Sequence, residues 1–442
     1  MTNIEAPTPT PVAEGQRIEG LDVLRGVALL GILAMNIQSF SMPFSAYMNP
    51  TVFPEFNLTN QLVYIYTHVV YDVKMMTLFS MLFGAGAVLY WKKCKRREDV
   101  WRIGGLWFRR MGWLLLLGMI HAYFIWYGDI LVTYAVCGLL ALWWLRRVPP
   151  TGQLIIGGAL ILFAAALNTL FNAQYWIYAN PEMMEAWGWP EEARAQFMKG
   201  IGEGVAFFDP TPEQFQTQID EHLTGYIEML PHRLKQSVLM QAIFIPLYML
   251  WRCTGAMLLG MALFKMDVLT GRRSTSFYLK LAVIGYAIGI GLTVAGIIYN
   301  TSNDFDIGLF PMIGMRFNEF GSVPMALGHV GLVFLLFKSG VLGRLAHALA
   351  AVGRMALTNY LMQSVVATLL FYGYGFALFG KLERLEQQGV VVAIWAFQLI
   401  FSVFWLKAFR FGPAEWLWRS LTYWSPQPMR RVKPTPAATD ES

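Results

Sequence analysis

The chain has 442 residues, 56% hydrophobic and only 14% charged, with a mean hydropathy of +0.45. A soluble globular domain is nearer a quarter charged, so this composition excludes one and indicates an all-α, polytopic membrane helix bundle. The net charge of +6 does not argue for nucleic acid, because the lysines and arginines gather in short loops between apolar stretches, where they set orientation in a lipid bilayer.

Residues 1–20 are polar and proline-rich and read as a disordered cytoplasmic tail without a cleavable signal peptide. Stretches long enough to cross a bilayer follow at 21–42, 71–91, 110–127, 130–145 and 154–171, with an amphipathic approach to the second at 57–70. Residues 172–237 break the pattern with acids, prolines and helix-like pieces, and read as an extracytoplasmic helical insertion. Apolar stretches resume at 238–264, 278–299, 323–337, 356–372 and 390–406, which makes about ten transmembrane helices. The segment 411–423 is too short and too charged to span; it reads as an interfacial helix or an ordinary capped surface helix. The expected organisation is therefore a tail over 1–20, an N-terminal transmembrane core over 21–171, the insertion over 172–237, a C-terminal transmembrane region over 238–424 and a disordered basic tail over 425–442.

Every second loop is basic. Lys92, Lys93, Lys95, Arg96 and Arg97 follow the second span, Arg146 and Arg147 the fourth, Lys265, Arg272 and Arg273 the sixth, and Lys338, Arg344 and Arg354 the eighth. The positive-inside rule makes these loops and both termini cytoplasmic. The opposite side receives 43–70, 128–129, 172–237, 300–320 and 373–389, with acids such as Glu191, Asp209, Asp220 and Asp304. Neither an internal repeat nor a pair of broken helices is legible, which weakens a transporter reading.

Polar residues inside these spans are costly to bury and are functional candidates by default. Asp22, Arg25 and Asn36 share one face of the first span, with Asn36 about 16 Å beyond Arg25 at 1.5 Å per residue. The third span repeats that measure: Arg110 at the border, then His121 eleven residues on, followed by Trp126, Gly128 and Asp129. Both spans enter from the cytoplasm, so Asn36 and His121 are expected at similar depth. For His121 the plainer alternative is helix packing, with the ring satisfied by a neighbouring helix. Asp72 and Lys74 open the second span, as an interfacial ion pair or a binding site, and Lys74 has Asp72 or Asp129 to pair with. Arg252 lies in the middle of the sixth span, where it requires an acid or an anionic ligand. Asn359 and Gln363, one turn apart, read as interhelical hydrogen-bond glue before anything else.

Cys94, Cys137 and Cys253 form neither a CxxC nor a metal spacing, and the other histidines, His68, His222, His232, His329 and His347, suggest only surface or packing roles. No metal is expected, and no phosphate-binding GxxxxGK[ST], HExxH or suitably placed GxSxG motif occurs.

Four stretches carry a resemblance: Leu21-Asp22-Val23-Leu24-Arg25-Gly26 with Asn36; His121 with Trp126-Tyr127-Gly128-Asp129-Ile130-Leu131; Gly353 to Ser364, including Asn359-Tyr360 and Gln363; and Phe411 to Arg419. They resemble the YeiB-like bacterial membrane family of unknown function, which is grouped with the transmembrane acyltransferases, among them the acyltransferase-3 enzymes and heparan-alpha-glucosaminide N-acetyltransferase. The resemblance implies a bacterial cytoplasmic-membrane protein that moves an acyl group from cytoplasmic acyl-CoA to an acceptor across the membrane, such as a cell-envelope sugar or lipid. Asn36 stands where acyltransferase-3 enzymes usually have a catalytic His. The heparan enzyme shares the Asn, but its following His is not matched by Ser45-Ala46-Tyr47-Met48.

Two expectations follow. In a membrane acyltransferase, His121 acts as base, Asp129 orients it, and Asn36 donates to the developing oxyanion. Arg25, Arg110 and Arg252 would then hold the coenzyme A phosphates, and Asp72, Lys74, Trp126, Asn359 and Gln363 would line the substrate site. In a transporter, permease-like protein or envelope scaffold, Arg252, His121 and Asp129 would instead form a proton or substrate path. The insertion 172–237 serves as acceptor holder or as plug.

Overall fold

The computed structural model describes residues 18–53, 56–92 and 97–431. The proposed tail up to residue 17, the basic residues Lys93, Lys95 and Arg96, Cys94, and residues 432–442 lie outside the described residues. The helices are α1 (Glu19–Ser41), α2 (Phe44–Met48), α3 (Leu58–Val70), α4 (Lys74–Trp91), α5 (Arg97–Phe124), α6 (Leu131–Cys137), α7 (Trp143–Leu145) and α8 (Pro150–Ala179). They continue with α9 (Glu182–Ala186), α10 (Glu191–Val205), α11 (Pro212–His222), α12 (Tyr226–Leu239), α13 (Leu250–Lys265) and α14 (Thr275–Ser302). The last are α15 (Met315–Lys338), α16 (Gly343–Arg354), α17 (Ala356–Phe371), α18 (Arg384–Ala408) and α19 (Pro413–Tyr423). Wider π-helical turns at Gly138–Leu142, Met240–Met249 and Phe310–Gly314 join α6 to α7, α12 to α13, and lead into α15. The protein is an all-α, multi-pass membrane bundle: eight described helices are long and apolar enough to cross a membrane, and Leu131–Leu145 and Ala356–Phe371 are shorter apolar helices.

Several boundaries move. The approach and the second span form a broken helix: α3 and α4 are separated by Tyr71–Val73, where Val73 sits at φ 60°. A β-branched residue in that region is a backbone outlier of the kind that accumulates at functional sites. The insertion is less separate than its composition suggests. Its first residues complete α8, and from Tyr226 it runs into the sixth span as one 40-residue helix. At 1.5 Å per residue that is about 60 Å, twice the hydrocarbon core, so its first turns stand clear of it. The span expected at 323–337 begins much earlier: residues 315–320, expected in the loop 300–320, belong to the first turns of α15. Their charges depress the local hydropathy, but partners inside the bundle satisfy them. The first residues of the expected basic C-terminal tail are ordered, since Arg410 N donates to Met429 O at 2.9 Å and Arg431 N to Ala408 O at 3.1 Å.

The basic loops meet at one end of the bundle. Lys265 Nζ donates to the carbonyls of Arg146 and Val148 at 3.1 and 3.0 Å, and Lys338 Nζ to Gly271 O at 2.9 Å. At the other end, Gly373 N donates to His222 O at 2.9 Å, Gly380 N to Ser41 O at 2.7 Å, and Arg384 Nη2 to Ala46 O at 2.7 Å.

With no hydrophobic drive between helices inside lipid, close packing decides which surfaces meet. Helices α1 and α16 cross through Gly26 and Gly353: a side chain on Gly26 would run into the Leu349 carbonyl, and one on Gly353 into that of Asp22. Gly84 of α4 and Gly260 of α13 make the same reciprocal crossing against the Met257 and Met81 carbonyls. Gly26→Val is therefore expected to destabilise the bundle by about 1–3 kcal/mol, read as a lower midpoint in thermal unfolding of the detergent-solubilised protein; an unchanged midpoint would remove this account of the crossing.

The terminal segment is a docked helix. Glu415 of α19 receives Leu357 N at 2.6 Å and Thr358 N at 3.1 Å on one carboxylate oxygen, and Thr358 Oγ1 at 2.6 Å on the other. It thus supplies, from another helix, the acceptor that the exposed first N–H groups of α17 require. Burial pushes its carboxyl above the ordinary range, against the pull of these bonds. Glu415→Ala leaves three donors unpaired, at about 1–3 kcal/mol; limited proteolysis is expected to cut at α19 in the variant and not in the wild type.

Candidate functional site

The third-span motif forms a compact site where α5 turns into α6. His121 Nδ1 lies 2.7 Å from Asp129 Oδ2, and both side chains are almost wholly buried. The other Asp129 oxygen accepts Val132 N at 2.7 Å and so caps the start of α6, which fixes the carboxylate against the ring. A carboxylate only accepts, so in the neutral imidazole Nδ1 carries the proton and Nε2 presents its lone pair. That Nε2 is buried without a hydrogen-bond partner. Gly128 is the residue that fits beneath the Trp126 indole.

Aromatic rings wall the site. The Tyr360 ring is centred 5.1 Å from the imidazole, and its hydroxyl accepts Ile130 N at 3.2 Å. Tyr360 was missed as a site residue although it stands in the Gly353–Ser364 motif; a phenol next to Asn359 in a polar stretch was the available signal. Trp126 stacks on Phe40 of α1 with centroids 4.0 Å apart, and its buried Nε1 has no partner. Asn36 lies one turn before Phe40 on the same face of α1. The Phe40–Trp126 stack joins α1 to the turn that carries Gly128 and Asp129. Asn36 remains partly exposed within an otherwise buried stretch of α1.

At the basic end of these helices, Arg25 pairs with Asp22 at 2.7 Å and keeps about a quarter of its surface open. The Arg110 guanidinium lies 3.6 Å above the Trp418 ring of α19, whose Nε1 donates to Arg110 O at 2.8 Å. These two residues lie at the basic end of the helices that carry Asn36 and His121.

Arg252 belongs elsewhere. Its Nη2 donates to Thr77 Oγ1 at 3.0 Å and Ser322 Oγ at 2.8 Å, and its Nε lies 3.9 Å from Glu319 Oε1. The acid that its depth demands is Glu319, on the first turns of α15. Glu319 also pairs with Arg316 at 2.6 Å, and Arg316 Nη2 donates to Asn168 Oδ1 at 2.6 Å. Asp72 and Lys74, at the break between α3 and α4, join this second polar centre. Lys74 meets neither acid directly; Nζ donates to His68 O at 2.6 Å and to Asn318 Oδ1, and Asn318 Nδ2 donates to Asp72 Oδ2 at 2.8 Å. Asp72 also holds Tyr47 OH at 2.8 Å and lies 2.8 Å from His68 Nδ1, a partner that the sequence did not disclose.

Asn359 and Gln363 tie helices together: Asn359 Nδ2 donates to Ser402 Oγ at 3.0 Å, and Gln363 Nε2 to Gln398 Oε1 at 2.9 Å. The structure does not bring them, or Asp72 and Lys74, to the His121 site. Among the described residues no group of three His, Cys, Asp or Glu side chains is disposed to hold a metal ion.

Residues 263–425 match the family model described as "Protein of unknown function (DUF418)". The chain is similar to the uncharacterised protein YeiB of Escherichia coli strain K12, with 30% identity over 91% of this chain and 95% of that protein. It is 33% identical to the uncharacterised protein YxaH of Bacillus subtilis strain 168, over 95% of this chain and 98% of that protein. No solved structure matches it.

Proposed function

The chain belongs to the YeiB-like family of uncharacterised bacterial proteins, and from that premise we propose that it is a membrane acyltransferase. It would work in the bacterial cytoplasmic membrane, taking the acyl group from cytoplasmic acyl-CoA and passing it to a hydroxyl or amine on the far side. The observation that carries this reading is the His121–Asp129 pair, buried, oriented through Nδ1 and unpartnered at Nε2. A hydroxyl or amine is a poor nucleophile until a base removes its proton. Nε2 accepts that proton as the acceptor's oxygen or nitrogen bonds to the thioester carbonyl carbon. The carbon–sulfur bond breaks, and the same proton passes from Nε2 to the departing thiolate. Asn36 donates to the carbonyl oxygen as charge builds there. Arg25 and Arg110 hold the coenzyme A phosphates at the basic mouth. The test is release of free coenzyme A by the purified protein from acetyl-CoA in the presence of cell-envelope extract. No release above the rate without protein, together with no thermal shift on adding acyl-CoA, removes the reading.

A second reading has its own observation. The break at Tyr71–Val73 joins Lys74 and Asp72 to the buried Arg252–Glu319–Arg316 group, and a broken helix beside intramembrane charges is a transporter feature. A proton flux into proteoliposomes that Lys74→Met abolishes, in protein that leaves acyl-CoA intact, moves the assignment to transport.

A further inference from the structure

Beside the second polar centre the outer surface of the bundle carries an open groove of about 520 Å³ between α8 and α15. Leu162, Ala166, Thr169 and Ala173 form one wall, and Arg316 and Phe320 the other. The α8 residues are mostly small and recur at about one-turn spacing, so that side of the helix recedes from its neighbour. In a membrane such a recess is not filled by water; it takes an acyl chain.

The charge at its floor selects the chain's head group. Arg316 is seven-eighths buried, and the carboxylate it meets, Glu319, is also the acid nearest Arg252. Two guanidiniums thus face one carboxylate. The neighbouring Lys74 and Asp72 are tied together through Asn318, so within the described cluster Glu319 is the carboxylate that both guanidiniums face. Arg316 Nε has no partner, and its other contacts beyond Glu319 are to uncharged oxygens of Ala165, Asn168 and Pro311. A buried charge needs a partner, and the second guanidinium on this one carboxylate calls for a counter-ion of its own.

Depth places that counter-ion. Lys338, at the basic end of α15, is 22 residues from Arg316, or about 33 Å at 1.5 Å per residue. The hydrocarbon core is about 30 Å thick, so Arg316 stands at the head-group border of the leaflet opposite the basic loops. We infer that this groove seats one anionic phospholipid of that leaflet, with its phosphate at Arg316 and an acyl chain along Phe320, Leu162 and Ala166. The site is remote from the His121 pair and does not depend on the acyl-transfer reading.

The experiment is native mass spectrometry of the full chain, stripped of lipid in neutral detergent and titrated with phosphatidylglycerol or with phosphatidylcholine. One phosphatidylglycerol per chain is expected to be retained, about fivefold more tightly than phosphatidylcholine, the ratio one positive charge near a membrane surface supplies. Ala166→Trp, at a lipid-exposed position, fills the groove; it is expected to lose the retained lipid while the lipid-free protein keeps its unfolding midpoint. Arg316→Lys, which keeps the charge and folds beside Glu319, is expected to retain the preference. Equal retention of the two lipids by the wild type, or undiminished phosphatidylglycerol on Ala166→Trp, overturns the inference.

Discussion

His121→Ala is expected to slow acyl transfer by about a hundredfold to ten-thousandfold, the range a positioned general base supplies. Binding of acyl-CoA, measured by thermal shift, should survive, because the phosphates are assigned to Arg25 and Arg110, some 16 Å away along the helices at 1.5 Å per residue. Asp129→Asn separates orientation from structure. An asparagine oxygen still accepts Val132 N and caps α6, so the fold is expected to hold. Its amide nitrogen, however, now donates to His121 Nδ1, which moves the ring proton to Nε2 and hides the lone pair that accepts the substrate proton. The variant should therefore lose kcat with little change in KM, and its pH profile should shift, which a purely structural acid would not produce. Turnover by His121→Ala at the wild-type rate would leave the imidazole as a packing group and the acyl-transfer proposal without a base.

Glu319→Ala is expected to be the most damaging single change to folding. It strips the carboxylate from between two buried guanidiniums, Arg252 and Arg316, and removing one partner of a buried pair costs about 3–5 kcal/mol. That approaches the whole stability of many domains, so the expected result is little monodisperse protein on size exclusion. The effect belongs to charge and not to lost volume. Combining Glu319→Gln with Arg252→Met removes one charge of each sign and is expected to recover a monodisperse peak that Glu319→Gln alone does not give. A well-behaved Glu319→Ala single variant would mean that the two guanidiniums do not depend on this carboxylate for folding.

Both residues sit on helices, yet only one was legible. His121 and Asp129 are eight residues apart on the two sides of one turn, and chain geometry alone brings them together. Glu319 was hidden because hydropathy is a local sum. Arg316, Asn318 and Glu319 lower it enough to resemble a loop, although their partners wait inside the bundle on α4, α8 and α13. Arg252 announced the need for an acid without saying where it was. Likewise the Phe411–Arg419 motif was recognisable as a helix, but nothing local connects Glu415 with the N-terminus of α17, 58 residues earlier.

What the sequence determined by itself was the class: apolar runs of bilayer length that must satisfy their own backbone as helices, with basic loops alternating between them. Only the tertiary structure decided which helices touch, because Gly26 against Leu349, or Gly84 against Met257, depends on backbones meeting from far apart in the chain. It also decided that the intramembrane charges divide into two centres, one around His121 and one around Glu319. The physical reason is range: helix periodicity and hydropathy are written within a few turns, whereas the pairing of a buried charge is settled by whatever side chain folding delivers beside it.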